Sequence, residues 1–323
     1  MAALRISILI PTFNRSGLLA KAVESALAQT YPDLEVLVSD NASSDDTSSV
    51  MARFEVDPRL HYFRNAQNIG MVANWRQLLL RATGDFFLLL SDDDELIDPE
   101  YLKKAADLLQ RHEDMVLVYA NGYILDTRTG LRRELRLPFQ EVENGSKVFA
   151  SRDRVKPQDF TLCNVLFRRA LALDLGAFSN PHNICCDSEL FLNSCLFGKV
   201  GVIQDCVSLY RVHSSNLIST IDGDFDLLAH RLDMYLNPLR LAEKRDCLSK
   251  QEREAFEWAM RRMVRRTLLA ICAHHRERYP EFLAYLESRR PGLARKAMIH
   301  AKYWLKRIKI RWHQRRRLFS QSK

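Results

Sequence analysis

Apolar and polar positions along the chain fall into two alternating kinds of run. Arg5 to Ile10 is a short β-branched stretch that stops at Pro11, the pattern of a buried strand, and Leu18 to Gln29 then carries apolar residues at helical spacing. Leu34 to Val38 predicts a second buried strand ending at Ser39-Asp40-Asn41, followed by Ser43 to Thr47, which reads as a loop and helix cap. His61 to Phe63 predicts a third strand and Val72 to Arg81 a third helix. Asp85 to Leu90 is a fourth strand that breaks into Ser91-Asp92-Asp93-Asp94-Glu95. Tyr101 to Gln110 then predicts a helix and Val116 to Tyr119 a strand, after which periodicity weakens until about residue 160. Beyond Asp224 the pattern is helical, clearest over Glu252 to His274 and Leu293 to Trp312, with a break at Pro291-Gly292.

Strands alternating with helices predict an α/β fold, a mainly parallel central sheet flanked by helices, with a C-terminal helical extension. Ligands of such sheets bind outside the carboxyl ends of the strands. Thr12, Asp40 and the run Asp92 to Asp94 all stand at such ends, so three separate segments converge on one edge.

Composition narrows the class. A chain of 323 residues exceeds one typical domain, and 47% apolar with 27% charged residues is ordinary for a soluble globular protein, which excludes disordered and fibrous classes. The formal charge of +8 is unevenly placed: no acidic residue follows Glu287, while thirteen Lys or Arg lie between Arg289 and Lys323, so the first 287 residues carry a net −5. The seven cysteines are scattered, odd in number and without a Cys-x-x-Cys pair, which points to a reduced compartment rather than a disulfide framework or zinc site. The apolar run before Pro11 is too short for a signal peptide, and no window approaches the ~20 apolar residues of a membrane span. A cytoplasmic location is the expectation.

Three adjacent carboxylates after an apolar strand repel one another unless a cation or solvent relieves them, and hard oxygen ligands of this kind suit Mg²⁺ or Mn²⁺ beside a phosphate. The same three residues could instead form a solvated turn before the helix that follows Pro99. Asp40 could accept from a base or ribose edge, or cap the following helix. Arg15 places a fixed cation in the first strand-to-helix turn, where helix amides favour anions, and could equally be a surface residue.

The segments Pro11-Thr12-Phe13-Asn14-Arg15, Val38 to Thr47, Asn65 to Gly70 and Ala82-Thr83-Gly84-Asp85 running to Asp94, in this order and spacing, resemble the family-two glycosyltransferases. Cys186-Asp187-Ser188-Glu189-Leu190 looks like that family's acidic pair ahead of a helix, and Tyr210-Arg211-Val212-His213 like its closing segment. The resemblance covers about residues 5 to 216 and implies a GT-A type, Rossmann-like fold. It implies an inverting transfer from a nucleotide-diphosphate sugar, UDP- or dTDP-linked by preference, to a glycan or lipid-linked acceptor in cell-surface polysaccharide synthesis. By the same resemblance Pro11, Thr12, Phe13, Arg15, Asp40, Asn68 and Asp92 bind the nucleotide-sugar, with Asp40 on the base. Asp93, Asp94 and His213 hold Mn²⁺ or Mg²⁺, with Asp93 the direct ligand. Asp187 is the general base and Glu189 its reserve, although Cys186 stands where many relatives have a second acid. The implied organisation is a transferase domain over residues 1–222, with about 1–105 on the nucleotide-sugar side and 106–222 on the acceptor side, then an extension over 223–323.

In the tail, apolar residues at 294, 297, 298, 301, 304, 305, 308 and 312 form one stripe of a helix, with Lys302, Lys306, Lys309 and Arg316 elsewhere around it. Such a helix suits peripheral contact with an anionic membrane surface over residues 293–317, at the inner face of the cytoplasmic membrane; packing on the catalytic domain accounts for it equally. Other readings fare worse. A sugar nucleotidyltransferase would open on a Gly-rich loop with a Lys, and residues 11–17 offer only Gly17. A non-enzymatic nucleic-acid-binding protein would use the tail, yet no recognisable RNA-binding or helix-turn-helix pattern accompanies it, so no specific nucleic acid is expected. A processive synthase would need membrane spans and a Gln-x-x-Arg-Trp segment.

Overall fold

The computed structural model describes residues 4–151, 161–213, 225–226 and 231–293. The tail after Leu293, with the expected amphipathic helix, and residues 214–224 lie outside them. The opening elements are β1 (Ile6–Thr12), α1 (Ser16–Leu27), β2 (Leu34–Asp40), α2 (Thr47–Ala52), β3 (Leu60–Arg64), α3 (Met71–Arg81), β4 (Phe86–Leu89), the two-residue β5 (Glu95–Leu96) and α4 (Tyr101–Arg111). Then follow β6 (Met115–Asp126), β7 (Arg132–Leu135), β8 (Val142–Asn144), α5 (Gly145–Ala150), β9 (Val165–Arg168), α6 (Arg169–Asp174), α7 (Cys186–Cys195) and β10 (Lys199–Val212). Three helices close the described chain: α8 (Asp233–Arg245), α9 (Lys250–His274) and α10 (Tyr279–Arg289).

Among the described residues ten strands make one sheet, in the order β3-β2-β1-β4-β9-β6-β10-β5, with β7 on β6 and β8 on β10. The pairs from β3 to β4 are parallel, as is β6 with β10, while β9 runs antiparallel between β4 and β6. The α/β expectation is met, with antiparallel strands added in the second half. The end of the long strand β6, the short β7 and β8 and the helix α5 fill part of the stretch in which periodicity weakens.

Covering by helices on both faces explains why the first strands read as unbroken apolar runs. Ile6, Ile8 and Ile10 point to one layer, with Leu19, Val23 and Ala26 of α1 and Leu102 and Leu109 of α4. Leu9, Leu37 and Phe87 point to the other, with Trp75 and Leu78 of α3 and the buried faces of α7 to α10. The closing helices therefore share the main core. Phe149 of α5 stacks on Phe256 of α9 with centroids 4.0 Å apart, and both are fully buried. Ser249 and Glu252 form a reciprocal capping box at the start of α9, and Ser146 donates to the other Glu252 oxygen at 2.6 Å. Gly145 is required there, because a Cβ would lie 2.0 Å from the Cys195 carbonyl oxygen.

The amino ends of β1, β2 and β4 are tied around one buried carboxylate. Glu35 accepts from Ser7 Oγ at 2.5 Å, Thr83 N at 2.7 Å, Thr83 Oγ1 at 3.0 Å and Arg5 Nη2 at 3.3 Å. Gly84 N donates to Ser7 Oγ and Arg5 N to Asp85. The Ala82 to Asp85 motif is thus an anchor at the edge opposite the strand ends where ligands bind. Burial pushes the Glu35 carboxyl up, but the hydrogen bonds from Ser7 and Thr83 and the charge of Arg5 outweigh it and leave it below its ordinary value. A carboxyl lowered in the fold contributes stability above its ordinary pKa of about 4.3, and that contribution is lost as pH falls through the folded value. We expect Glu35→Gln to cost about 1–3 kcal/mol at neutral pH. Urea unfolding as a function of pH should show the gap between wild type and variant closing below about pH 4; a gap that stays constant would contradict the role of the charge.

Candidate active site

The carboxyl ends of β1 and β4 and the start of α7 surround a cavity of about 460 Å³, within the range of a nucleotide-sized ligand. Pro11 and Thr12 line it from the end of β1, Phe13 and Arg15 from the loop that follows, Asn68 from the loop before α3, Asp92, Asp93 and Asp94 from the turn after β4, and Asp187 from α7. The first two loops brace each other: Asn14 N donates to Ser43 Oγ at 2.9 Å and Ser44 N to Asn14 Oδ1 at 2.7 Å. Asn14 takes a φ of 54°, a left-handed conformation that Asn tolerates. Asp45 accepts from Ser16 N at the start of α1 and from Thr47 at the start of α2. Burial raises its carboxyl, and the hydrogen bonds from Thr47 and Ser16 outweigh this and bring it down to about 2.

The three aspartates are held differently, though all are buried. Asp92 accepts from Thr12 Oγ1 at 2.8 Å and from Arg15 Nη1 at 3.0 Å. Asp93 Oδ2 meets Arg15 Nη1 at 2.8 Å and His213 Nε2 at 2.9 Å. Asp94 Oδ1 accepts from the Arg211 backbone N–H at 2.9 Å, while Arg211 also donates to the Asp93 carbonyl and pairs with Glu95 at 2.6 Å. The antiparallel pairing of β5 with β10 sets this up, because it lays the end of β10 across the acidic turn. Burial pushes the Asp92 carboxyl up to about 6, with Arg15 opposing and Asp93 adding to the shift. Burial and then Asp93 push Asp94 well above the usual range. Tyr210, which lines the cavity, is likewise raised by burial and then by the charges of Asp94, Asp93 and, among weaker influences, Asp187.

The donor chemistry fits a divalent cation. Two carboxylates and an imidazole gather at one place, and the Arg15 nitrogen bridging Asp92 and Asp93 stands in for positive charge there. Among the described residues no three His, Cys, Asp or Glu side chains are arranged to hold an ion by themselves, so phosphate oxygens and water would complete the shell, as is usual for Mg²⁺.

Asp187 lies in the first turn of α7 and accepts from Ser188 N at 2.6 Å. Two expected residues point elsewhere. Asp40 is fully buried and takes Ser43 N at 2.8 Å, Tyr62 Oη at 2.8 Å and Arg64 Nη1 at 2.6 Å, so it does not line the cavity; its neighbour Asn41 does. Glu189 faces a separate cavity of about 170 Å³ behind α7. There it accepts from Asn183 at 2.7 Å and Asn237 at 3.1 Å, and burial raises its carboxyl against those two bonds. The cavity wall also contains residues that sequence reasoning passed over. Asn41 holds the 65–70 loop through Asn68 at 2.8 Å and Ile69 N at 3.0 Å. Trp75 packs edge-on to Phe178, centroids 5.5 Å apart, and Thr161, Leu162 and Ile184 close the far side.

All seven cysteines are free thiols, and among the described residues no helix is long and apolar enough to cross a membrane.

Comparison with known proteins gives the fold and the family. The chain is 46% identical over 96 residues to GalNAc(5)-diNAcBac-PP-undecaprenol beta-1,3-glucosyltransferase of Campylobacter jejuni, a match covering 29% of this chain and 31% of that relative's length. The structure resembles S. aureus TarS 1-349 in complex with UDP-GlcNAc, with TM-score 0.60, 16% identity and 93% and 92% of the two chains covered. It also resembles the mannosyltransferase PcManGT from Pyrobaculum calidifontis in complex with GDP-Man and Mn²⁺, with TM-score 0.52, 17% identity and 95% and 89% covered. At these identities the likeness shows the fold, which is the expected GT-A arrangement. The profile of glycosyl transferase family 2 matches residues 7–176. That is more than half of the 323 residues, and with it the chain belongs to glycosyl transferase family 2 and is a transferase enzyme.

Proposed function

We propose that the protein is an inverting glycosyltransferase that moves a sugar from a nucleotide-diphosphate donor to a hydroxyl of a glycan or lipid-linked acceptor. The observation that carries this reading is that the acidic turn after β4 and Asp187 of α7 face the same cavity. Phe13, Thr12 and Asn68 receive the nucleoside part of the donor, and Arg15 its diphosphate. UDP or dTDP is the favoured carrier; the UDP-GlcNAc bound by TarS supports a uridine donor.

Asp187 takes the proton of the acceptor hydroxyl as its oxygen attacks the anomeric carbon. The bond from that carbon to the diphosphate oxygen breaks on the opposite face, the electron pair leaves with the diphosphate, and the configuration inverts. Asp93 would be the direct ligand of Mn²⁺ or Mg²⁺, with Asp94 and His213 beside it and donor phosphate oxygens completing the shell, while the Arg211 backbone N–H fixes Asp94. When bound, such an ion supplies Lewis-acid stabilisation of the leaving diphosphate. Residues 1–222 form the catalytic unit and 223–323 the extension in this reading. A lipid-linked acceptor, like the undecaprenol-linked one in the name of the Campylobacter relative, would bring the enzyme to a membrane face. The basic amphipathic segment over 293–317 would meet anionic headgroups there.

The test is a panel of nucleotide sugars with Mn²⁺, following nucleotide-diphosphate release with and without EDTA. Release from one donor should fall at least a hundredfold with EDTA and in Asp93→Ala, as expected when the groups that stabilise the leaving charge are removed. Release that EDTA leaves untouched would remove the metal from the reading, and turnover of no donor would remove the reaction.

A further inference from the structure

Arg15 occupies an unusual place for a residue assigned to a diphosphate. Its Nη1 lies 3.0 Å from Asp92 Oδ1 and 2.8 Å from Asp93 Oδ2, and His213 Nε2 lies on the same Asp93 oxygen at 2.9 Å. The Asp92 and Asp93 side chains are only 6% exposed, whereas the Arg15 side chain is 31% exposed and reaches in from the loop before α1. Two buried carboxylates sharing a site need a counter-charge, and this guanidinium supplies it across the mouth of the cavity. A divalent ion competes with the guanidinium for the Asp93 oxygen, because both draw on its lone pairs and their charges repel each other. The guanidinium sits at the end of a flexible stem with access to solvent, and its geometry suits a phosphate as well as a carboxylate.

Building on the metal-assisted reading above, we infer that Arg15 is the counter-ion of Asp92 and Asp93, exchanged for the divalent ion when the donor arrives. The ion takes Asp93, and Arg15 moves onto the diphosphate that the donor brings. Metal and diphosphate binding are then coupled through one side chain, and by linkage each tightens the other by the same factor. Arg15 is in this sense a positioning residue that keeps the free enzyme from filling with metal before the donor is present.

The experiment is a titration of the full-length protein with Mn²⁺, followed by electron paramagnetic resonance, alone and with UDP or GDP. Arg15→Gln and Arg15→Met, which keep the stem and remove the charge, should bind Mn²⁺ without nucleotide at least tenfold more tightly than wild type. Nucleotide should then tighten Mn²⁺ by a smaller factor in the variants than in wild type. The advantage should persist in 1 M KCl, where the Debye length is about 3 Å and a general field effect is screened. Unchanged or weaker Mn²⁺ binding in both variants, or an advantage that vanishes in salt, overturns the exchange while leaving the metal reading intact. Wild type that binds no Mn²⁺ with either nucleotide overturns the metal reading and the exchange with it.

Discussion

Asp187→Asn should lower the transfer rate by about 10²–10⁴-fold, the range that a positioned general base contributes, with little change in the affinity for the donor. The asparagine keeps the size of the side chain and its hydrogen bond from Ser188 N but cannot take a proton. Its first-turn position on α7 also makes Asp187 a helix-end acid, so a purely structural role has to be separated from a catalytic one. The separation comes from the pH profile of the residual rate. If Asp187 is the base, the acidic limb seen in wild type disappears in the variant. If the limb survives and only thermal stability drops, Asp187 is a cap and the proton goes elsewhere. Glu189 is a poor substitute, because Asn183 and Asn237 hold it on the other side of the helix.

The largest effect on stability should come from Phe256→Ala. This ring is fully buried, stacks on Phe149 at 4.0 Å and lies 5.9 Å from Tyr235, so truncation leaves a cavity where α5, α8 and α9 meet. Phe→Ala at such a site costs about 3–5 kcal/mol, which for a chain of this size lowers the melting temperature by on the order of 5–10 °C. Because the closing helices share one core with the sheet, calorimetry of the variant should show a single transition moved as a whole. A second, earlier transition with the first unmoved would mean that the helices melt as a separate unit.

Much of the cavity edge could be read from the chain because its strands are buried on both faces. Continuous apolar runs then end abruptly in polar residues, and the cavity opens at those ends; Thr12 and the Asp92 to Asp94 turn stand out for this reason. Asp40 stands out equally, yet β2 pairs with β3 so that Arg64 lies directly opposite it. No periodicity reveals which residue a parallel register brings alongside. Asp187 and Glu189 read as an acidic pair, but two positions along a helix are about 200° apart, so the spacing itself contained the warning. Trp75 falls at helical spacing with Val72, Leu78 and Leu79, which marks it as core and hides its share in the cavity wall. Residues 121–150 resist reading because β6 and β10 pair through register shifts between Ile203 and Ser208, and β7 and β8 are too short to show a period.

The position of β3 as the outermost strand has a bearing on how the protein behaves in a test tube. An unpaired edge offers backbone groups to the edge of another molecule and so invites self-association. Here the edge is five residues long, Arg64 is anchored to Asp40 at 2.6 Å, Arg81 covers the Phe63 ring at 4.5 Å, and the Tyr62 hydroxyl is held by Asp40. Asp40 is therefore the peg on which a guarded margin hangs. Loss of activity in an Asp40 variant reports on colloidal behaviour as much as on donor recognition, and light scattering belongs beside every assay of that position.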